Sequence, residues 1–209
     1  RDRIISVLYR PFDKRYTYYT GNSRGFLCMP RPAVANQMVK KNNIALITSR
    51  MTKGEVFRHV HFTSDMAEVI CLSPNTSNNG FVFPLRVFSS DEELQLKKGG
   101  MWFNFKKDFL EAVEQRSGIK FSEKNNGNGT DKFGAEDLFY YISAILSSPD
   151  YQNRYTECLK VDFPRIPITV DVKLFWRLVK IGSDVVSCHL MKDTKEATNF
   201  PEKGSNIVD

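Results

Sequence analysis

Cations interleaved with aromatic rings open the chain. The stretch from Tyr9 to Thr20, YRPFDKRYTYYT, sets Arg10, Lys14 and Arg15 among Tyr9, Phe12, Tyr16 and Tyr18, around the single acid Asp13. Guanidinium and ammonium groups seek phosphate, and a tyrosine ring offers a flat face with a polar tip, so the combination suits a nucleic-acid surface. The same residues also fit a proline-bounded strand pair with its rings on a core face and its charges in water. Arg24 and Arg31 follow, and then Arg50, Thr52, Lys53 and Arg58 in and beside a short polar connection. Residues 1–63 hold twelve Lys and Arg against Asp2, Asp13 and Glu55, so the positive charge is concentrated in the N-terminal half. Cations set among Tyr, Ser, Thr and Asn on a sheet with projecting loops can hold phosphates and read base edges.

Other chemistry is weakly supported. His59 and His61 alternate along a strand as a His-x-His metal pair would, but no third ligand stands at a telling spacing, and packing on a sheet is the commoner role. Cys28, Cys71, Cys158 and Cys188 are far apart and include no Cys-x-x-Cys pair. Neither a zinc site nor a disulfide framework is indicated, and a reducing cytoplasm is the expected compartment. Nothing places a base, an orienting carboxylate and an oxyanion donor beside a cysteine. Gly127, Gly129 and Gly134 have the wrong spacing for a dinucleotide fingerprint, and Lys97-Lys98-Gly99-Gly100 runs opposite to a P-loop. Glu92-Glu93 and Glu136-Asp137 are adjacent pairs whose side chains point apart, so solvated faces are expected. Met51 and Met101 read as packing or loop residues. No catalytic residue, metal ligand or cofactor site is assigned.

At 209 residues and 41% hydrophobic, the chain can bury one sizeable core or two small ones sharing an interface. A net charge of +6 and a pI near 9.1 favour a polyanionic partner. No window approaches the roughly 20 apolar residues that a spanning helix needs, so no membrane partner is expected. The chain opens at Arg1 inside a strand pattern, without a signal segment, and ends on Ile207-Val208 after Gly204-Ser205 as if a strand were starting. It is therefore expected to be a piece of a longer protein.

The elements that must position these residues fall into two halves. Segments 3–9 and 12–20 read as strands around Pro11, and Pro32 starts a short helix to about Lys41. Ile44–Ser49 and Val56–Thr63 read as a hairpin joined by the polar connection Arg50–Glu55, with further strands at Ala67–Leu72 and Phe81–Phe88. Residues 1–209 are expected to pack as one domain, and any boundary between substructures falls near residue 98, after which the apolar period changes from two to about 3.6. Asn104 is the expected cap of a helix ending at Gly118, and residues 122–133 have almost nothing to bury and read as a mobile surface loop. Helices are expected at Ala135–Ser147, from Ser148-Pro149 to about Leu159, and at Val172–Leu190 with Gly182 as a break. Phe163-Pro164-Arg165-Ile166-Pro167 cannot be regular. The fold class is α+β, a mixed or mostly antiparallel sheet from the N-terminal half packed with a helical layer from the C-terminal half.

Five segments in order carry a family likeness. YRPFDKRYTYY near the start, Asn-Asn-Ile-Ala-Leu-Ile-x-x-Arg at 42–50, DLFYYISAILSSPDYQNRY at 137–155, the 163–167 element, and Leu178–Met191 with Gly182 and His189-Leu190 resemble the C-terminal specificity region of type ISP restriction-modification enzymes. The likeness covers most of the chain. In that family one bacterial polypeptide carries nuclease, helicase-like, adenine-methyltransferase and target-recognition parts, and the resemblance implies that this segment is the last. No Asn-Pro-Pro-aromatic methyltransferase motif occurs in it. The resemblance implies a non-catalytic segment without a cofactor, with S-adenosylmethionine, and ATP and Mg as further candidates, serving other parts of the parent. Its implied partners are double-stranded DNA and the methyltransferase domain of the same polypeptide.

The expected function is sequence-specific binding of double-stranded DNA through Arg10, Lys14, Arg15, Arg24, Arg31, Arg50, Thr52, Lys53 and Arg58. Arg50 is the first choice for a guanine edge, with Thr52, Lys53 and Arg58 as base or phosphate contacts. Competing readings are a protein- or RNA-interaction module and a fragment of the catalytic part. The latter needs a constellation the sequence does not offer, and the former would scatter the positive charge rather than line one concave face.

Overall fold

A computed structural model describes residues 3–22, 26–27, 29–75, 78–89 and 100–192. Arg24, Cys28, Glu92-Glu93, the 97–99 run with the expected boundary near 98, and the closing 204–208 stretch lie outside the described residues. The strands are β1 (Ile4–Arg10), β2 (Asp13–Tyr18), β3 (Ala45–Ser49), β4 (Val60–Thr63), β5 (Met66–Ala67), β6 (Gly80–Pro84), β7 (Arg86–Phe88), β8 (Met101–Phe103), β9 (Lys120–Phe121) and β10 (Lys132–Phe133). The helices are α1 (Pro32–Met38), α2 (Lys107–Ser117), α3 (Ala135–Ser147), α4 (Pro149–Arg154), α5 (Thr156–Leu159) and α6 (Val172–His189). The class is α+β, with small mixed and antiparallel sheets first and helices after them.

The sheet β4-β3-β6 is antiparallel and central. Ile47 lies opposite His61 and Val82, and Leu46 opposite Phe62 and Phe83, so these two sets face opposite ways. On one side Ile47 packs with Leu8 and Cys71 under the second sheet, β2-β1-β5. On the other, Phe62 and Leu46 meet Phe139 of α3 and Val186 of α6. A strand covered on both faces needs a near-continuous apolar run, which Ile44-Ala45-Leu46-Ile47 supplies. The helical half has its own core of Phe133, Leu138, Tyr141, Phe175 and Val179.

Several expectations are corrected. Helix α6 runs unbroken through Gly182, because that glycine is where α6 crosses α3: a Cβ there would sit 1.8 Å from the Tyr140 carbonyl oxygen. Asn104 does not cap a helix; its Nδ2 donates to Pro84 O at 2.9 Å, and α2 begins three residues later, at Lys107, behind the N-cap Lys106. The stretch Ala67–Leu72 is strand only at its first residue, and Phe81–Phe88 divides into β6 and β7 where Leu85 N bonds Ile44 O.

The 122–133 loop is a built turn. Asn128 Oδ1 accepts from the backbone N of Thr130, Asp131 and Lys132, and the buried Asp137 carboxylate accepts from Gly127 N at 2.6 Å and Gly134 N at 2.8 Å. Glu136 meets Arg86, so neither member of the Glu136-Asp137 pair is simply solvated. Tyrosine hydroxyls hold the irregular 163–170 segment. Tyr141 donates to Pro167 O at 2.8 Å and accepts from Thr169 N at 3.0 Å, and Tyr151 donates to Arg165 O at 2.7 Å.

Candidate nucleic-acid interface

The β3–β4 connection carries four of the residues singled out in the sequence. It is longer than expected, residues 50–59, and it folds back on the protein instead of projecting freely. Asn78 Oδ1 accepts from Lys53 N at 2.8 Å, while Asn75 Nδ2 at 2.8 Å and Asn78 Nδ2 at 3.3 Å donate to Lys53 O. The Glu55 carboxylate accepts from Ser73 Oγ at 2.7 Å and lies 3.1 Å from His59 Nε2. The Ser73 bond, with His59 and Asn78 adding to it, holds the Glu55 carboxyl below its usual range. Burial pushes His59 down. Phe57 is sunk in the helical core and Thr52 N donates to Lys160 O at 3.3 Å.

This pinning sorts the side chains. Lys53 and Arg58 are exposed and make no ion pair among the described residues. Arg50 is exposed but rests against Asp162, Nε to Oδ1 at 3.4 Å. Thr52, expected as a base or phosphate contact, is 4% exposed with its hydroxyl enclosed. The loop needs Thr52 inside to bring its backbone to Lys160.

The β1–β2 hairpin carries the next group. Arg10 pairs with Glu68 at 3.1 Å, Lys14 with Asp65 at 2.8 Å and Arg15 with Asp13 at 3.0 Å. The Tyr9 ring has Arg15 Cζ 4.0 Å and Arg10 Cζ 4.1 Å from its centroid. Arg31 is exposed at the N-cap of α1 in a left-handed conformation, φ 48°. The structure thus brings Arg50, Lys53 and Arg58 together on one connection and Arg10, Lys14 and Arg15 on one hairpin.

The two histidines meet different partners, His59 at Glu55 and His61 at His189. His61 packs against the His189 ring at 4.6 Å and Phe12 at 5.1 Å, and His189 Nδ1 accepts from Phe62 N. Burial, helped by His189 and Lys14, pushes His61 down to about 4. No group of three His, Cys, Asp or Glu stands at metal-binding distance among the described residues.

Sequence reasoning missed the acids that reach these cations, Asp65, Glu68 and Asp162, because all three lie beyond residue 63. It also missed Ser73, Asn75 and Asn78. Their signal was present, since Ser and Asn clustered about Pro74 are residues whose side chains bond nearby backbone.

Two solved structures share the fold. A DrdV–DNA complex aligns with a TM-score of 0.67 at 22% identity, covering 91% of this chain and 16% of that one. A nuclease-deletion mutant of the Type ISP restriction-modification enzyme LlaGI, in complex with a DNA substrate mimic, aligns with a TM-score of 0.59 at 20% identity, covering 90% of this chain and 14% of that one. The chain thus spans a small fraction of the length of either neighbour. No curated protein matches it. The model of the Type ISP C-terminal specificity domain matches residues 1–209, and the chain belongs to that family.

Proposed function

We propose that this chain is the target-recognition part of a restriction-modification DNA adenine methyltransferase. It binds double-stranded DNA by sequence and so places an adenine for a methyltransferase domain of the same polypeptide. The observation that carries this reading is membership of the specificity-domain family along the whole chain, with both structural neighbours held in complexes with DNA or a DNA mimic. S-adenosylmethionine, with ATP and Mg, belongs in this reading to other parts of that polypeptide, and the chain's own work is binding in the cytoplasm. No helix among the described residues is long and apolar enough to cross a membrane.

Arg31, Lys53 and Arg58, exposed and without an ion pair among the described residues, suit phosphate contact, which sets register and orientation, while directional donors on paired arginines suit base edges. The buried Asn78 and the Glu55–Ser73 bond favour a loop shaped before DNA arrives, which lowers the ordering cost of binding. Long-read methylation mapping of a host with and without the full-length gene tests the function. One methylated adenine in a fixed sequence context is expected. Methylation without sequence context, or DNA affinity of the full-length protein that does not fall with salt, would overturn the reading.

A further inference from the structure

The geometry points to Arg15 as a guanine-reading side chain oriented before DNA arrives, with Asp13 and Tyr9 as its positioning residues. This rests on the DNA-recognition reading above and names the reader within it. Arg15 Nε donates to Asp13 Oδ2 at 3.2 Å and reaches Oδ1 at 3.4 Å, and Nη2 donates to Oδ2 at 3.0 Å. The carboxylate therefore occupies a single edge of the guanidinium, the one formed by Nε and Nη2. The guanidinium also lies over the Tyr9 ring, with Cζ 4.0 Å from its centroid, which restricts its movement. That ring is itself steadied, because Arg10 stacks on it at 4.1 Å and bonds both Glu68 and the Tyr9 carbonyl.

A guanidinium has five N–H donors in a rigid fork. Asp13 takes Nε–H and one hydrogen of Nη2, which leaves the end of the fork, two parallel donors on Nη1 and Nη2. The Arg15 side chain is 59% exposed, and among the described residues its hydrogen bonds go only from Nε and Nη2 to Asp13. Two parallel donors match the adjacent O6 and N7 acceptors that guanine shows in the major groove, and that groove admits a two-stranded β-ribbon. Arg15 sits on the outer strand of the three-stranded sheet β2-β1-β5, opposite Val7, at the edge such a groove would receive.

The pairing with Asp13 also argues against a phosphate role. Phosphate attraction depends on net charge, which Asp13 largely compensates, whereas donor direction survives the pairing and is sharpened by it. Arg50 differs on each count: one 3.4 Å contact to Asp162 and no stacked ring.

The test uses the full-length protein and a duplex carrying the sequence found methylated, with every base pair replaced in turn. Wild type should lose roughly 5- to 150-fold affinity when the guanine read by Arg15 is replaced, the range for one bidentate contact. Arg15→Ala should reduce the discrimination at that position to within about twofold and leave the other positions as they were. Asp13→Ala and Tyr9→Ala should narrow it at the same position only, and Tyr9→Phe, which keeps the ring, should restore it. A phosphate contact would show as Arg15→Ala weakening every duplex alike, and a residue outside the interface as no change; either result overturns the assignment. If Asp13→Ala and Tyr9→Ala lower all positions equally, their role is structural and the positioning claim falls. If wild type itself does not discriminate among the duplexes, the DNA-recognition reading fails before Arg15 is at issue.

Discussion

Gly182→Ala should destabilise the protein strongly, although alanine is the better helix former. In α6 a Cβ at this position would meet Tyr140 O at 1.8 Å, Tyr140 C at 2.6 Å and Ala144 N at 3.1 Å, all backbone atoms of α3. Real Cβ contacts essentially never fall below 3.0 Å, so the helices must separate by about an ångström. A gap of that size forfeits a quarter to a half of each contact well, along an interface that includes the Tyr141–Phe175 stack at 4.8 Å. Overpacking that moves backbone costs about 3–5 kcal/mol, at or above the upper end of the usual range, and the alanine returns about 1 kcal/mol of helix propensity. The net loss is about 2–4 kcal/mol, or about 4–16 °C in Tm for a chain of this size. Urea and thermal unfolding of wild type and variant measure it. An unchanged or raised Tm would refute the crossing of α3 and α6 at Gly182.

Four further outcomes follow from the same geometry. His61 is held near 4 when folded, against about 6.5 unfolded, so between those values the unfolded chain binds the proton that the folded chain refuses. Stability is full above about pH 6.5 and falls by at most about 3 kcal/mol as pH drops toward 4; urea midpoints for His61→Phe should show a flatter fall. Cys71 is 1% exposed with its thiol raised to about 12 by burial, so iodoacetamide at pH 8 should label Cys158 and Cys188 in the native protein and Cys71 only after unfolding, as read by peptide mass spectrometry. Tyr141→Phe removes the bonds to Pro167 O and Thr169 N, and should cost about 1–3 kcal/mol in urea unfolding with faster proteolysis in 163–170. Lys53→Ala should weaken all duplexes alike and reduce the salt slope by about one contact, whereas Arg50→Ala should act at one base pair if Arg50 reads a base; binding isotherms at several salt concentrations separate the two.

What was legible in the sequence follows from local physics. The apolar run before Ser49, Pro32 at a first turn and Ser148-Pro149 at the start of α4 each act through neighbours a few residues away, and each element starts where its pattern stands, although α1 ends at Met38, short of Lys41, and the helix expected to run to Leu159 divides at Tyr155 into α4 and α5. The errors lie where distant residues decide. Gly182 reads as a break from its own helix and becomes a crossing point only when α3 is beside it. The 122–133 segment has little to bury, yet its backbone is organised by the Asn128 amide and by the Asp137 carboxylate from the next helix. The burial of Thr52 is likewise set from a distance, its N donating to Lys160 O. For the candidate site, the count of twelve cations over three acids was correct as a count but blind to Asp65, Glu68 and Asp162.

Those acids change how affinity and specificity divide across the surface. Each paired cation, already neutralised by its carboxylate, releases less counterion on meeting a phosphate than a bare one. If Arg10, Lys14, Arg15, Arg31, Arg50, Lys53 and Arg58 all neutralised phosphates, the logarithm of the binding constant would fall with the logarithm of salt at a slope of about −6. With Arg10, Lys14, Arg15 and Arg50 held against carboxylates, Arg31, Lys53 and Arg58 alone give about −3. A shallow slope weakens binding to arbitrary DNA without weakening directional bonds to bases. The ratio of specific to non-specific affinity, which decides whether a recognition domain finds its site among many others, therefore rises as cations acquire partners. In the recognition role proposed above, the carboxylates beside these cations would serve discrimination at the expense of raw affinity, a trade a net charge of +6 does not reveal.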